Sequence, residues 1–460
     1  METEVKQPVI NKGWQEPTLS HSAKDSDPET LPKERPGVSA PKPPGLPKKP
    51  TLKSRLYLNA HICEALEKKV FVRNQGVIDI DQLDHNISEV QKALPARLPL
   101  RLRVGSLPNP HLLLYMAQKL GTQRLYVVHP GILFEILSMP QFDEFDIWLG
   151  RSLPKQVFET EFWQNDPEVW ARLSRMVRFQ VGSKEELGEL IRFSHDIGKT
   201  LKVCLDFDCG KRRGGFQKFK DVEHAIRMIK ASSGAVSLSG ISASDEHLPL
   251  APKFYSRWIT SNQTQFAKIQ SFVLILKEMV RSHGYGAEVP VLGGCSRTLG
   301  LHVKGTHLDE FCLGSLFLGS SYIFSNSEFS KFESAFYISN PITHSDKYFR
   351  APFMGSVLSF LYQKIFYSKS KPTWVLGGPW SGVWAHDGIE DGPSFLSQKK
   401  QARLLPDQSF VWLRTHENVH KNKILLFVPE EPDTMLMFNE NVVIRNGQIL
   451  GTWRNFRHTH

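Results

Sequence analysis

Four stretches of this 460-residue chain carry the side chains that chemistry needs, beside turns that could present them. In residues 206–215, Asp206 and Asp208 end an apolar run and a glycine-rich basic turn follows, with Lys211, Arg212 and Arg213. Those cations could bind an anionic ligand, or the segment could be a solvated basic turn. In residues 291–298 an apolar run meets Gly293 and Gly294. Backbone N–H groups there, with the Ser296 and Thr298 hydroxyls, could cradle a phosphate, although paired glycines also mark simple tight turns. Residues 240–247 end in a titratable cluster, Asp245, Glu246 and His247, in which His247 is either a catalyst or a satisfied structural residue. In residues 429–434, Glu431 and Asp433 stand two apart. In extended backbone they project the same way and could share a hard divalent cation, or they form a solvated acidic turn. His416, Glu417 and His420 enlarge that pool of ligands. The chain has no Walker A motif, no GxGxxG and no nucleophile-elbow GxSxG.

Repeating elements must position these stretches. Short apolar runs occur at residues 76–80, 100–104, 124–128, 145–149, 176–181, 201–207, 235–241 and 289–292. Helical patterns lie between them. The clearest starts at the capping box Ser183-Lys184-Glu185-Glu186, continues through Leu187, Leu190 and Ile191, and stops at Gly198. Near-continuous apolar strands alternating with helices imply parallel strands buried on both faces. About eight such units point to an α/β fold, a (β/α)8 barrel rather than an open doubly wound sheet. From Ser409 onward strands follow one another without helices, and Asn446-Gly447 is a hairpin signal. This end reads as a small antiparallel β domain. Residues 326–408, rich in aromatics and glycine, resist placement.

Ten of the 29 prolines fall in residues 1–50, which lack apolar periodicity. Such a segment buries too little surface to offset the entropy of ordering. The expected organisation is a disordered tail over residues 1–55, a barrel over 70–325 and a β domain over 326–460. Charge is +10, too diffuse to indicate specific nucleic-acid binding. Five cysteines form no CxxC pair, which suits a reducing compartment. No apolar run reaches the roughly 18 residues that a membrane span needs, and the first residues lack signal-peptide character. A cytoplasmic protein without a membrane partner is expected.

In this order, the stretches resemble the fold-type III pyridoxal-phosphate proteins, which include D-threonine aldolase, D-serine dehydratase and related D-amino-acid deaminases and are cousins of alanine racemase. The resemblance covers residues 70–325 and 405–455. Residues 76–87 are similar to the family's entry strand and helix. Arg213 falls on an arginine that in the family faces the pyridine nitrogen. His247 is kept, while Ser244 stands where the family has tyrosine. Residues 293–296 resemble the phosphate loop, and residues 308–315 follow a second family segment. Residues 428–435 resemble the metal segment, where Asp433 matches but Glu431 replaces histidine. Arg101, Val104, Pro110 and Leu112 fall in register with the first barrel strand, which puts Gly105 at the cofactor-binding lysine.

The resemblance implies a lyase- or aldolase-like protein that uses pyridoxal phosphate, whose lysine forms an imine with the cofactor in a working relative. Glycine has no amine. The chain is therefore expected to hold pyridoxal phosphate noncovalently, through Gly293, Gly294 and Ser296, as a catalytically impaired binding or regulatory protein. The alternative is an active lyase or deaminase that uses another lysine. Lys211 is the nearest, on a different strand and across the barrel mouth. Arg103 could fill the space at Gly105 but is no nucleophile. A barrel unconnected with pyridoxal phosphate is a third reading. The expected partner is an amino-acid-like small molecule, with a homodimer left open. Removing residues 1–55 is expected to leave the thermal midpoint unchanged. A fall of more than about 4–8 °C, the shift that 1 kcal/mol gives in a smaller domain, would show that the tail supports the fold.

Overall fold

The structure, a computed structural model, describes residues 61–67, 74–95, 98–151, 167–212, 214–248, 262–321, 329–345, 355–366, 370–376, 382–385, 389–391, 408–414 and 424–457. The proline-rich tail, Arg213, His416, Glu417 and His420 lie outside the described residues.

Eight parallel strands close a barrel. They are β2 (Leu100–Arg103), β3 (Arg124–Val127), β4 (Asp146–Leu149), β5 (Val177–Val181), β6 (Leu201–Asp206), β7 (Val236–Ala243), β8 (Val291–Gly293) and β9 (Glu310–Leu313). The seam closes where Leu100, Arg101 and Leu102 of β2 pair with Phe311, Cys312 and Leu313 of β9. Helices cover the outside with buried apolar stripes such as Val222, Ala225, Ile226 and Ile229 of the helix Phe219–Ala231. The helix Lys184–Ile197 starts as its sequence predicts. Ser183 Oγ accepts from Glu186 N at 3.1 Å, Glu186 accepts from Gly182 N at 2.6 Å, and Gly198 ends the helix in the left-handed region. No described helix is long and apolar enough to cross a membrane.

The second layer is a nine-stranded sheet. Its path runs through β13 (Ile389–Asp391), β14 (Gln408–Arg414), β11 (Ser370–Leu376), β10 (Phe336–Ser345), β1 (Gln75–Asp79), β16 (Glu440–Arg445) and β17 (Gln448–Arg454). Off that path, β15 (Ile424–Pro429) pairs with β10 and with β12 (Gly382–Trp384). Asn446 and Gly447 join β16 to β17 with φ of 49° and 67°, the paired positive angles of a type I′ turn.

Two strands differ from the reading of the pattern. Residues 76–80 were expected as a barrel unit, yet β1 lies in the second sheet, antiparallel to β10 and parallel to β16. All five β1 residues are buried, and an apolar run buried on both faces looks the same in either sheet. Asp79 also starts the next helix, accepting from Asp81 N at 3.0 Å and Gln82 N at 3.3 Å. The eighth barrel strand is instead β9, only four residues long and opened by a carboxylate, so its period is too short to read.

That carboxylate is part of a buried ionic layer at the start of the strands. Arg101 is fully buried. It donates to Glu310 at 2.8 Å, to the Asp146 carboxylate at 2.6 Å, and to the carbonyls of Leu125 and Asp146. Arg178 donates to the other Asp146 oxygen at 2.7 Å. Removing one partner from such a set leaves buried charges uncompensated. Arg101→Ala is expected to lower unfolding free energy by about 3–5 kcal/mol, measured by urea denaturation. A loss below about 1 kcal/mol would show that the layer is better solvated than its burial implies.

Candidate active site

A cavity of about 880 Å³ opens at the C-terminal ends of the barrel strands, where this architecture places ligands. One wall is the end of β2, where Arg103 and the short turn Val104–Ser106 bring Gly105 to the surface of the cavity. A β-carbon built on Gly105 would meet only Val128 Cγ2, at 3.9 Å. Position 105 therefore has room for a side chain that its glycine does not supply.

The turns after β6 and β7 bring in Lys211, Glu246 and His247. Asp208 shapes the first turn, accepting from Gly210 N at 2.9 Å and Arg212 N at 3.1 Å. Lys211 Nζ reaches Glu246 Oε2 at 2.6 Å, and the Arg103 guanidinium takes the other oxygen of the same carboxylate. Lys211 thus meets the turn of the adjacent strand, where Arg103 of β2 arrives as well. Burial pushes the Glu246 carboxyl up, but Arg103 and then Lys211 outweigh it and hold the group below its ordinary value. Burial pushes the His247 imidazole below its ordinary value, against the pull of Asp245 and Asp208. Its Nδ1 is buried and finds no partner among the described residues. Asp245 points elsewhere, into a closed set with Thr298 Oγ1 at 3.0 Å and His302 Nε2 at 2.6 Å, and is structural. Asp206, one strand end away, is buried and desolvated, which raises its carboxyl to about 6.

From β9 and the turns after β8 and β9, the cavity wall carries Cys312, Cys295, Ser296, Arg297, Gly314 and Ser315. Burial raises the Cys295 and Cys312 thiols to about 12, so neither is a nucleophile at neutral pH. Ser296 Oγ accepts from Leu316 N at 3.1 Å, which fixes the hydroxyl at the wall. The β domain closes the opposite side with Glu431, Asp433, Leu436 and Met437, around the 3-10 helix Pro432–Met437. Glu431 is ion-paired with Arg297 across the gap. Burial raises its carboxyl, while Arg297 draws it down.

The structure thus brings Gly105, His247, Ser296, Glu431 and Asp433 to one cavity. Among the described residues that line it, Ser244, Gly293 and Gly294 do not occur. Gly294 has φ of +74°, and a β-carbon there would lie 2.1 Å from Phe311 Cε2, so this glycine serves barrel packing. Ser296, Arg297 and Ser315 supply the hydroxyl and guanidinium donors that suit a phosphate. Among the described residues alone, the fit to a divalent metal is poor. Among the described residues no group of three His, Cys, Asp or Glu could hold a metal ion, and Glu431 already carries a guanidinium.

Residues 78–321 match the alanine racemase N-terminal domain family, and the chain belongs to that family of fold-type III pyridoxal-phosphate proteins. Solved structures give the same fold at low identity. D-threonine aldolase from Filomicrobium marinum is 14% identical, with a TM-score of 0.61 over 83% of this chain and 94% of that one. Alanine racemase from Bacillus anthracis is 14% identical, with a TM-score of 0.59 over 84% and 98%. D-threo-3-hydroxyaspartate dehydratase from Delftia sp. HT23 is 13% identical, with a TM-score of 0.60 over 85% and 99%. No curated protein sequence matches the chain.

Gly294→Val combines a strained backbone with a clash inside the barrel. It is expected to cost at least about 2 kcal/mol through overpacking, read as a lowered denaturation midpoint without ligand. A variant as stable as the parent would mean that Phe311 can move aside.

Proposed function

We propose that the cavity binds pyridoxal phosphate, or a phosphate-bearing molecule of the same class, without a covalent bond at position 105, and that the protein is a lyase- or racemase-like relative acting as a catalytically impaired binding or regulatory protein. The observation that carries this reading is Gly105, which faces the cavity with open space and no amine. When bound, pyridoxal phosphate supplies an electron sink for carbanions. Ser296, Arg297 and Ser315 would hold its phosphate. His247, held toward its neutral form by burial, would offer a hydrogen-bonding ring nitrogen within the same space. A cytoplasmic location is supported by five free thiols.

A second reading, an active enzyme that uses another lysine, is favoured by one contact. Lys211 lies on the cavity wall. Its partner Glu246 opposes that role, because an ion-paired ammonium has no free lone pair for attack.

Reduction with borohydride in the presence of pyridoxal phosphate, followed by peptide mapping, separates the two. The expected result is no stoichiometric phosphopyridoxyl label, with pyridoxal phosphate binding at least tenfold more tightly than pyridoxal. Gly105→Lys, whose β-carbon meets only Val128, should gain a label at position 105. A stoichiometric label on Lys211, with D-amino-acid turnover lost in Lys211→Met, would overturn the impaired reading. Equal binding of the two vitamers would remove the phosphate site.

A further inference from the structure

Two features of the cavity wall are unspent by noncovalent binding of a bare cofactor. The first is the space at Gly105. The nearest atom to a β-carbon there is Val128 Cγ2 at 3.9 Å, whereas a β-carbon at Gly314, the other cavity glycine among the described residues, would meet Ser106 Cβ at 2.9 Å and Arg103 Cβ at 3.0 Å. The opening is thus local to one strand end. The second feature is the charge beside it. Arg103, two residues from Gly105, shares the single Glu246 carboxylate with Lys211. Glu246 accepts one hydrogen bond from each, so both cations keep further N–H donors for a ligand carboxylate. The same wall also carries Asp433 and the Arg297–Glu431 pair. Burial would weaken the Arg103 charge, and Glu246 more than restores it.

We infer that the cavity takes a pyridoxal-phosphate derivative already joined to an amino acid, its amino-acid arm lying in the space left by Gly105 and its carboxylate completing the cluster of Arg103, Lys211 and Glu246. This rests on the reading of the cavity as a pyridoxal-phosphate-type site. The adduct forms before binding. The amine nitrogen joins the aldehyde carbon, one water leaves, and no group on the protein is consumed. A carboxylate between a guanidinium and an ammonium gains charge-assisted hydrogen bonds that an uncharged arm cannot make.

The test uses stable reduced probes and the full chain, with affinities from intrinsic fluorescence or calorimetry. The probes are N-phosphopyridoxyl-alanine, N-phosphopyridoxyl-ethylamine, which has the same ring and a similar arm but no carboxylate, and pyridoxine 5′-phosphate, which has no arm. The alanine adduct is expected to bind at least tenfold more tightly than the ethylamine adduct, and that difference should vanish in Arg103→Gln. Gly105→Met should weaken both adducts at least tenfold and leave pyridoxine 5′-phosphate unchanged. Equal affinities of the two adducts for the parent protein would overturn the inference, as would a Gly105→Met variant that binds adducts like the parent. If Gly105→Met fails to fold, judged by circular dichroism, the ligand series on the parent protein decides alone. Binding of pyridoxine 5′-phosphate with no gain from either arm sinks this inference only. Failure of all three probes to bind sinks the cofactor reading as well.

Discussion

The fully buried guanidinium of Arg101 is the constraint on which the barrel depends. It stands on β2, takes the carboxylates of Glu310 on β9 and Asp146 on β4, and donates to a β3 carbonyl. One side chain therefore spans the closing seam and the next two strands. Burial alone would discharge it, but Glu310 and Asp146 more than reverse that effect. Arg178 on β5 extends the layer from Asp146 to the Ser239 carbonyl on β7. The Trp148 ring lies 5.4 Å from the Arg101 guanidinium, and its indole N–H donates to Gln180 at 2.9 Å. Polar groups at the barrel centre are thus satisfied by one another. The strand starts are locked, and the cavity opens at the opposite ends.

At that opposite end Glu246 plays the corresponding part on a smaller scale. It draws Arg103 from β2 and Lys211 from the turn after β6 to one point. The same two strand ends would otherwise present unneutralised cations to the cavity and to each other. The wall is also built from two layers, because the Arg297–Glu431 pair ties the barrel to the connection between β15 and β16. The cavity wall consequently sets these ion pairs beside apolar residues, Val128, Leu436 and Met437, so a few placed charges can orient a small ligand.

Much of this was legible from the sequence. Barrel strands announced themselves because burial on both faces leaves continuous apolar runs, and the capping residues Ser183 and Gly198 fixed one helix at both ends. Residues 76–80 and 310–313 were misassigned or missed because periodicity reports burial and not partnership. Position 105, His247, Ser296, Glu431 and Asp433 were each visible as motif residues, and they do meet in one cavity. Glu246 was seen only as one member of a titratable cluster. Its role depends on two cations 143 and 35 residues away, a proximity that local pattern cannot carry. Gly294 misled for a related reason. A glycine required by a neighbouring ring, here Phe311, has the same signature as one required by a phosphate.

The placement of β1 bears on the order in which the chain can assemble. A chain made from its N-terminus presents its early segments first. Gln75 pairs with Ser339, and the Gln75 carbonyl accepts from a hydroxyl 264 residues later. The other edge of β1 waits for residues 441–444. Barrel closure needs nothing beyond β9. Among the described strands, an apolar one with both edges bare therefore emerges first and stays unsatisfied while the barrel behind it has all its partners, so the earliest of them to be made is among the last to be completed.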